Sequence, residues 1–138
     1  MPDLRTFRPG GTRIVAYGVA VIMLVVTAVI GLSLPDDISF TTAETVTLWI
    51  IIGFVLAVLH GIGRSQVRAD DEGVEVLNGY RRHRVAWSDV EGFAMGAGAP
   101  WPTLVTRDDD RINLFAIQGS DGAYAREAVT YLRGRLGR

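Results

Sequence analysis

Two long apolar segments dominate the first half of the chain. Residues 14–34 carry no charge and would span about 31 Å as a helix at roughly 1.5 Å per residue. After residues 35–44, a second uncharged run at residues 45–62 would span about 27 Å, with His60 near its end. Buried helices of soluble proteins usually keep a polar face, and neither run has one. The pattern therefore predicts a transmembrane helical hairpin at residues 14–62, with residues 35–44 as its outer loop.

The charges that flank the two runs predict the orientation of this hairpin. Residues 35–44 contain no basic side chain, whereas the flanks at the other end contain Arg5, Arg8, Arg13, Arg64 and Arg68. Because cationic flanks stay on the cytoplasmic side, we expect a two-span protein of the cell membrane with both termini cytoplasmic. A cleaved signal peptide is the alternative, but the first run is longer than a signal core of about 7–15 residues.

After residue 63 the pattern changes to short alternating runs. Turn sequences separate these runs, at residues 70–73, 78–79, 88–89, 96–100 and 108–110. About six antiparallel strands are therefore expected between residues 67 and 117, including residues 81–87 and 111–117. The tail at residues 1–13 is expected to lie outside this domain.

The last segment changes period again. Between residues 121 and 136 the apolar side chains fall on one helical face, namely Ala125, Ala128, Val129, Leu132 and Leu136. Ser120 or Asp121 is the expected N-cap of this helix. A curved antiparallel sheet closed by an amphipathic helix is thus predicted for residues 63–138, which makes the chain an α+β membrane protein.

Composition excludes several classes of function. The 138 residues include no cysteine, 14 basic and 15 acidic side chains, and every basic residue is arginine. Thiol catalysis and thiolate metal sites need cysteine, and non-specific nucleic-acid binding needs surplus cations. Asp108, Asp109 and Asp110 are adjacent in one turn, so we expect them to be solvated rather than to converge on a metal ion. With no phosphate-binding glycine loop, nucleophile elbow or zinc-binding histidine pair, we predict no enzyme and no cofactor.

Three segments of the second half resemble a known family. They are residues 71–78 (DEGVEVLN), residues 82–93 (RHRVAWSDVEGF) and residues 114–118 (LFAIQ). Together with the two apolar runs they resemble the small bacterial pleckstrin-homology (PH-like) domain of actinobacterial two-span membrane proteins, a family that includes a mycobacterial low-molecular-weight protein antigen. The resemblance implies a PH-like sheet with a C-terminal helix on the cytoplasmic side, and it implies no defined molecular activity.

Three residues are expected in the core of this domain. Val85 and Trp87 share one face of a predicted strand, and Leu132 lies on the apolar face of the last helix.

The arginines beside this core form a candidate contact surface. Arg81, Arg82 and Arg84 would bind anionic lipid or a protein partner, or would form a solvated face balanced by nearby acids. Phosphoinositide-binding PH domains place clustered cations at their first hairpin, and we take the acidic turn at residues 70–72 as its counterpart here, where it would repel phosphate.

Small residues recur every fourth position in the second run, at Gly53, Ala57 and Gly61. Such a stripe lets helices approach closely in lipid. We favour closure of the protein's own hairpin, and the alternatives are homo-oligomerisation or docking on a membrane complex. His60 is expected to reach headgroup water, although proton relay or binding of a partner carboxylate stays open.

The predicted function is a protein-interaction or scaffold module at the inner face of the cell membrane. PH-like sheets leave a strand edge to which a partner strand can add. An anionic-lipid headgroup sensor and an accessory subunit of a transport or cell-envelope complex are the alternatives.

Overall fold

A computed structural model describes residues 4–137 of the chain. Its elements are β1 (Arg5–Phe7), α1 (Gly10–Ser33), α2 (Thr42–Arg64), β2 (Gln66–Ala69), β3 (Gly73–Asn78), β4 (Arg81–Ala86), β5 (Val90–Ala94), β6 (Thr103–Thr106), β7 (Arg111–Asn113) and α3 (Ala123–Leu136). Single 3-10 turns lie at Trp87–Asp89 and Gly119–Asp121. This order confirms the predicted α+β class, with two apolar helices, antiparallel strands and a C-terminal helix.

Helices α1 and α2 pack side by side as a helical hairpin. They contain 24 and 23 residues, and both are long and apolar enough to cross a membrane. Only 6% and 17% of their most apolar windows are buried inside the protein, so a soluble core does not cover them. Helix α2 begins with a capping box, in which Thr41 and Glu44 satisfy each other's backbone N–H groups.

The strands form two antiparallel sheets. The first, sheet A, has the order β1-β2-β3-β4, and the second, sheet B, has the order β5-β6-β7. Strand β1 pairs with β2, with Phe7 opposite Val67, so residues 5–7 belong to the sheet although the sequence pattern predicted a tail there. The helical hairpin is therefore inserted between two neighbouring strands of one sheet.

The core lies between the two sheets and α3. Alternate positions of the central strands point inward, as with Val74 and Val76, and are fully buried. Leu132 is fully buried and Val85 is buried, whereas Trp87 is partly buried and packs against the core from its edge. The Trp87 ring N–H donates a 2.7 Å hydrogen bond to the Asp70 carbonyl, which satisfies its polar atom.

Three local predictions need correction. Strand β4 ends at Ala86, because the chain turns at residues 87–89, and β7 ends at Asn113 instead of residue 117. Neither Ser120 nor Asp121 caps α3, since both lie in the preceding 3-10 turn. The N-cap is Gly122, whose φ of 58° favours glycine.

Candidate functional site

Tyr80 joins the domain formed by the two sheets and α3 to the helical hairpin. It lies in the β3–β4 turn, and its hydroxyl donates a hydrogen bond to the Ala57 carbonyl of α2. Its ring lies on Gly61, where an added Cβ would be 2.9 Å from Tyr80 Cε2. The Arg64 guanidinium is 5.3 Å from the centroid of the same ring. Gly61 therefore provides the space in which the domain contacts α2.

A second aromatic contact reinforces this joint from α1. The Tyr17 hydroxyl lies 3.1 Å from His60 Nδ1. The Tyr17 ring occupies the space above Gly63, where an added Cβ would lie 2.6 Å from Tyr17 Cε2. The His60 and Tyr80 rings are 6.4 Å apart, centroid to centroid. His60 thus lies between two tyrosines, in a cluster that links both helices to the domain.

The backbone connections at the joint are short. Only Ser65 separates α2 from β2, and two residues separate β1 from α1. The buried Ser65 hydroxyl donates to the Gly61 carbonyl (3.1 Å) and accepts from the Gly79 N–H (3.0 Å). The domain is therefore attached by two tight connections and a hydrogen-bonded turn.

The small-residue stripe does not close the hairpin, contrary to the interpretation favoured from the sequence. A Cβ added at Gly53 would meet nothing within 4 Å, and Ala57 is exposed. Apart from Gly61 and Gly63, which lie under tyrosine rings, the residues buried along the helices are Ala16 and Ile52. The stripe fails as a helix contact because α2 turns a different face toward α1, and its glycine at position 61 receives a tyrosine ring.

The three candidate arginines fall on two faces of β4. Arg84 forms a two-pronged ion pair with Asp70, at 2.8 and 3.0 Å, and lies 3.4 Å from Glu72. The hydrogen bond from Arg84 lowers the pKa of the Asp70 carboxyl below its ordinary value. Arg82 lies 3.9 Å from Glu75. Both arginines on this outer face are thus balanced by acids of the same sheet.

Arg81 lies on the opposite face of β4 and borders two cavities. It has no ion-pair partner among residues 4–137. The first cavity, the joint groove, is about 590 Å³ and lies beside α2, between Val58, Ile62 and Phe115. No acidic residue of the described chain lines it, and its walls are mainly apolar.

The second cavity is a cleft of about 460 Å³ between β4 and β7. It is lined by Asn78, Arg81, His83, Arg111, Ile112, Asn113 and Phe115. One end is closed by Asn78, whose side-chain amide donates to the Asn113 carbonyl at 2.7 Å. Within the part of the chain that the structure describes, no carboxylate lines this β4–β7 cleft, so its electrostatic character is cationic. The sequence did not single out Arg111, because only the fold places it in the same cleft as His83.

The acidic turn at residues 70–72 is not the first hairpin of the domain. That position belongs to β1 and β2, which are joined by the two helices. The turn joins β2 to β3, and Arg135 lies 3.1 Å from its Asp71. Its acids therefore serve to bind arginines of the same domain, and the prediction that they repel phosphate at the first hairpin was wrong about their place in the fold.

Comparisons with known proteins agree with this architecture. A family model described as a bacterial PH domain matches residues 64–135. Uncharacterized proteins of Mycobacterium bovis and of two strains of Mycobacterium tuberculosis are 31% identical over 135 residues, which cover 95% of this chain and 87% of each relative. No solved structure gives a significant match. The family match covers more than half of the chain, and its relatives extend over both helices as well. The chain is therefore a member of the bacterial PH-domain family.

Proposed function

We propose that this protein is a membrane-anchored interaction module that presents its PH-like domain in a fixed orientation at the inner face of the cell membrane. The observation that carries the proposal is the insertion of the helical hairpin between β1 and β2. A sensor on a flexible tether needs a linker of many residues, whereas this chain leaves its sheet and re-enters it within one or two residues.

The aromatic joint supports the same conclusion. Tyr80 of the domain contacts α2 at Gly61, while Tyr17 of α1 contacts α2 at Gly63. Rotation of the domain against the hairpin would therefore require the Tyr80 ring to leave its site. Surfaces that bind partners work best on rigid elements, because less conformational entropy is lost on binding. Cationic flanks at this end of the hairpin favour a cytoplasmic domain.

Spin-label distances in the full chain test the fixed orientation. The chain has no cysteine, so Leu32→Cys at the far end of α1 and Thr130→Cys on α3 give one unique pair of labels. In lipid nanodiscs we expect a single narrow distance distribution. A control with six Gly-Ser residues inserted after Ser65 should broaden it. A distribution in the parent chain as broad as in this control would contradict the proposal.

Photo-crosslinking in native membranes tests the interaction itself. Probes at Arg111 and at Thr130 report the cleft and the exposed face of α3, respectively. We expect a defined protein adduct from one of these positions, which the Gly-Ser insertion reduces. Adducts to lipid alone from both positions would contradict an interaction module.

Binding of anionic lipid is a second candidate function, which the joint groove favours. The groove combines apolar walls at the end of a candidate span with the cation of Arg81, which has no ion-pair partner within residues 4–137. Juxtamembrane arginines attract anionic headgroups by about 1 kcal/mol each. Nanodiscs with and without phosphatidylglycerol test it through an Arg81→Gln variant. Equal retention of that lipid by the parent and variant proteins would remove this candidate.

A further inference from the structure

The geometry points to an extended acidic segment of a partner protein as the ligand of the β4–β7 cleft, added as a new strand on the free edge of β4. This inference rests on the proposed function, since it names the site and the chemistry of the partner that the module would present to the cytoplasm.

The backbone of β4 offers a free pairing edge. Among residues 4–137, β4 is the last strand of sheet A and pairs only with β3, while β7 is the last strand of sheet B and pairs only with β6. The cleft is lined by both strands, so the two free edges border the same space. At six residues, β4 is twice as long as β7. It is therefore the better template for main-chain hydrogen bonds with an added strand.

Charge selects the partner. Arg81, His83 and Arg111 line the cleft, and no carboxylate of the described residues does. The other two arginines of β4 engage Asp70, Glu72 and Glu75 on the opposite face. The cationic side chains of the cleft thus have no neighbouring carboxylate in the described part of the domain. Carboxylates of an added strand would balance their charge.

Strand periodicity defines the pattern that such a segment needs. Successive side chains of a strand point to opposite faces. Acids at every second position would therefore face Arg81, His83 and Arg111, and the intervening side chains would face outward. Cross-strand pairs of opposite charge stabilise a sheet, and like charges directly opposite destabilise it.

The same rule disfavours a second copy of this chain as the occupant. Pairing of β4 with β4 of another molecule would bring the arginines of the two strands into opposition. Charged edge strands prevent such edge-to-edge association. An acidic strand is the sequence type that this edge accepts.

Peptide binding to the full chain in phosphatidylcholine nanodiscs tests the inference. The probe is a fluorescent octapeptide of alternating Glu and Thr, followed by anisotropy. We expect saturable binding that weakens as salt rises. A Lys-Thr octapeptide tests charge, and a Glu-Pro octapeptide keeps the charge but removes the backbone donors at every second residue. Neither control should bind measurably.

Two matched variants locate the site. Arg111→Ala removes a cleft cation and should weaken Glu-Thr binding by about tenfold or more, as for loss of a charged hydrogen-bond partner. Arg82→Ala removes a cation from the outer face of β4 and should change binding by less than about twofold. Circular dichroism checks that both variants keep the fold.

Several results would overturn the inference. They are absence of Glu-Thr binding at millimolar peptide, equal binding of the Lys-Thr octapeptide, and equal weakening by the two variants. A crosslinking probe at His83 in native membranes tests two other occupants of the cleft, phospholipid and a second copy of this chain. Adducts to either one would also overturn the inference.

The same crosslinking experiment separates this inference from the proposed function. A protein adduct at residue 83 supports the cleft only where the Glu-Thr peptide, present during irradiation, prevents its formation and the Lys-Thr peptide does not. Protein adducts from residue 130 alone would leave the interaction module standing and refute the cleft. Absence of protein adducts from every position would refute both.

Discussion

Replacing Gly61 by alanine should loosen the joint between α2 and the PH-like domain, and the same change at Gly53 should not. A Cβ at residue 61 would lie 2.9 Å from Tyr80 Cε2. Carbon atoms in contact prefer about 3.5–4.0 Å, so the ring must retreat by roughly 0.6–1.1 Å. That movement carries the Tyr80 hydroxyl away from the Ala57 carbonyl. At Gly53 the added methyl group meets nothing within 4 Å.

The expected free-energy change follows from the contacts that Tyr80 loses. Its hydrogen bond to the Ala57 carbonyl contributes about 0.5–1.5 kcal/mol, and its contact with the Arg64 guanidinium contributes about 0.5–1 kcal/mol. Alanine also favours helix over glycine by about 0.8–1 kcal/mol at either position. Comparison of the two variants cancels this gain. The difference, about 1–2.5 kcal/mol, corresponds to about 5- to 70-fold in the ratio of docked to undocked turns.

Amide hydrogen exchange of the full chain in nanodiscs measures this ratio. The Gly79 N–H donates to Ser65 Oγ at 3.0 Å, so it exchanges only when the turn that carries Tyr80 opens. We expect Gly79 to exchange about 5- to 70-fold faster in Gly61→Ala than in Gly53→Ala. Equal exchange in the two variants would refute the assignment of Tyr80 as the contact that fixes the domain.

Three further predictions concern the domain itself. Gly73→Ala would place a Cβ 2.2 Å from the Val85 carbonyl oxygen and should lower the free energy of urea unfolding by about 1–3 kcal/mol. In the control Gly92→Ala the added Cβ meets nothing within 4 Å, so the free energy of unfolding should stay the same or rise by about 0.4–1 kcal/mol. The pKa of Asp70 is lower in the folded protein than its ordinary value of 3.8. Its ion pair with Arg84 therefore stabilises the fold at pH values above 3.8, and this stabilisation is lost as the pH falls through the folded pKa. Asp70→Asn should remove this loss and flatten the acid unfolding curve below pH 3.8. Trp87→Phe removes one of two hydrogen bonds to the Asp70 carbonyl, which also accepts from Arg135 Nη2 at 2.9 Å. The loss should cost about 0.5–1.5 kcal/mol, measured by thermal unfolding.

The elements with strong local signals were predictable from the sequence. Long uncharged runs indicated the two helices within a few residues, because a helix that spans a membrane needs about 20 consecutive apolar residues. Period-two alternation and turn residues indicated β2 to β6, and period 3.6 indicated α3. Strand β1 was missed because three residues, Arg5–Phe7, carry too little pattern to distinguish a strand from a tail. It pairs with β2, from which it is separated in sequence by the whole helical hairpin.

The candidate site was less predictable, because charge alone does not reveal pairing. The cluster Arg81, Arg82 and Arg84 reads as one basic patch, yet strand alternation divides it between two faces. Asp70 lies 14 residues from Arg84, and only the β2–β3 turn brings the two together. Arg111 lies 30 residues from Arg81 and joins it across the cleft. Such relations depend on tertiary geometry and leave no local pattern in the sequence.

Insertion of the hairpin between β1 and β2 explains why the domain and the helices depend on each other. Strand β1 reaches its place in sheet A only when α1 and α2 return the chain to β2, and its Phe7 is 2% exposed in the core. Arg5 of the same strand pairs with Glu127 of α3 at 2.6 Å. A fragment that starts after α2 would lack both contacts and would leave an apolar site open in the core. The domain is therefore complete only in the chain that carries its hairpin.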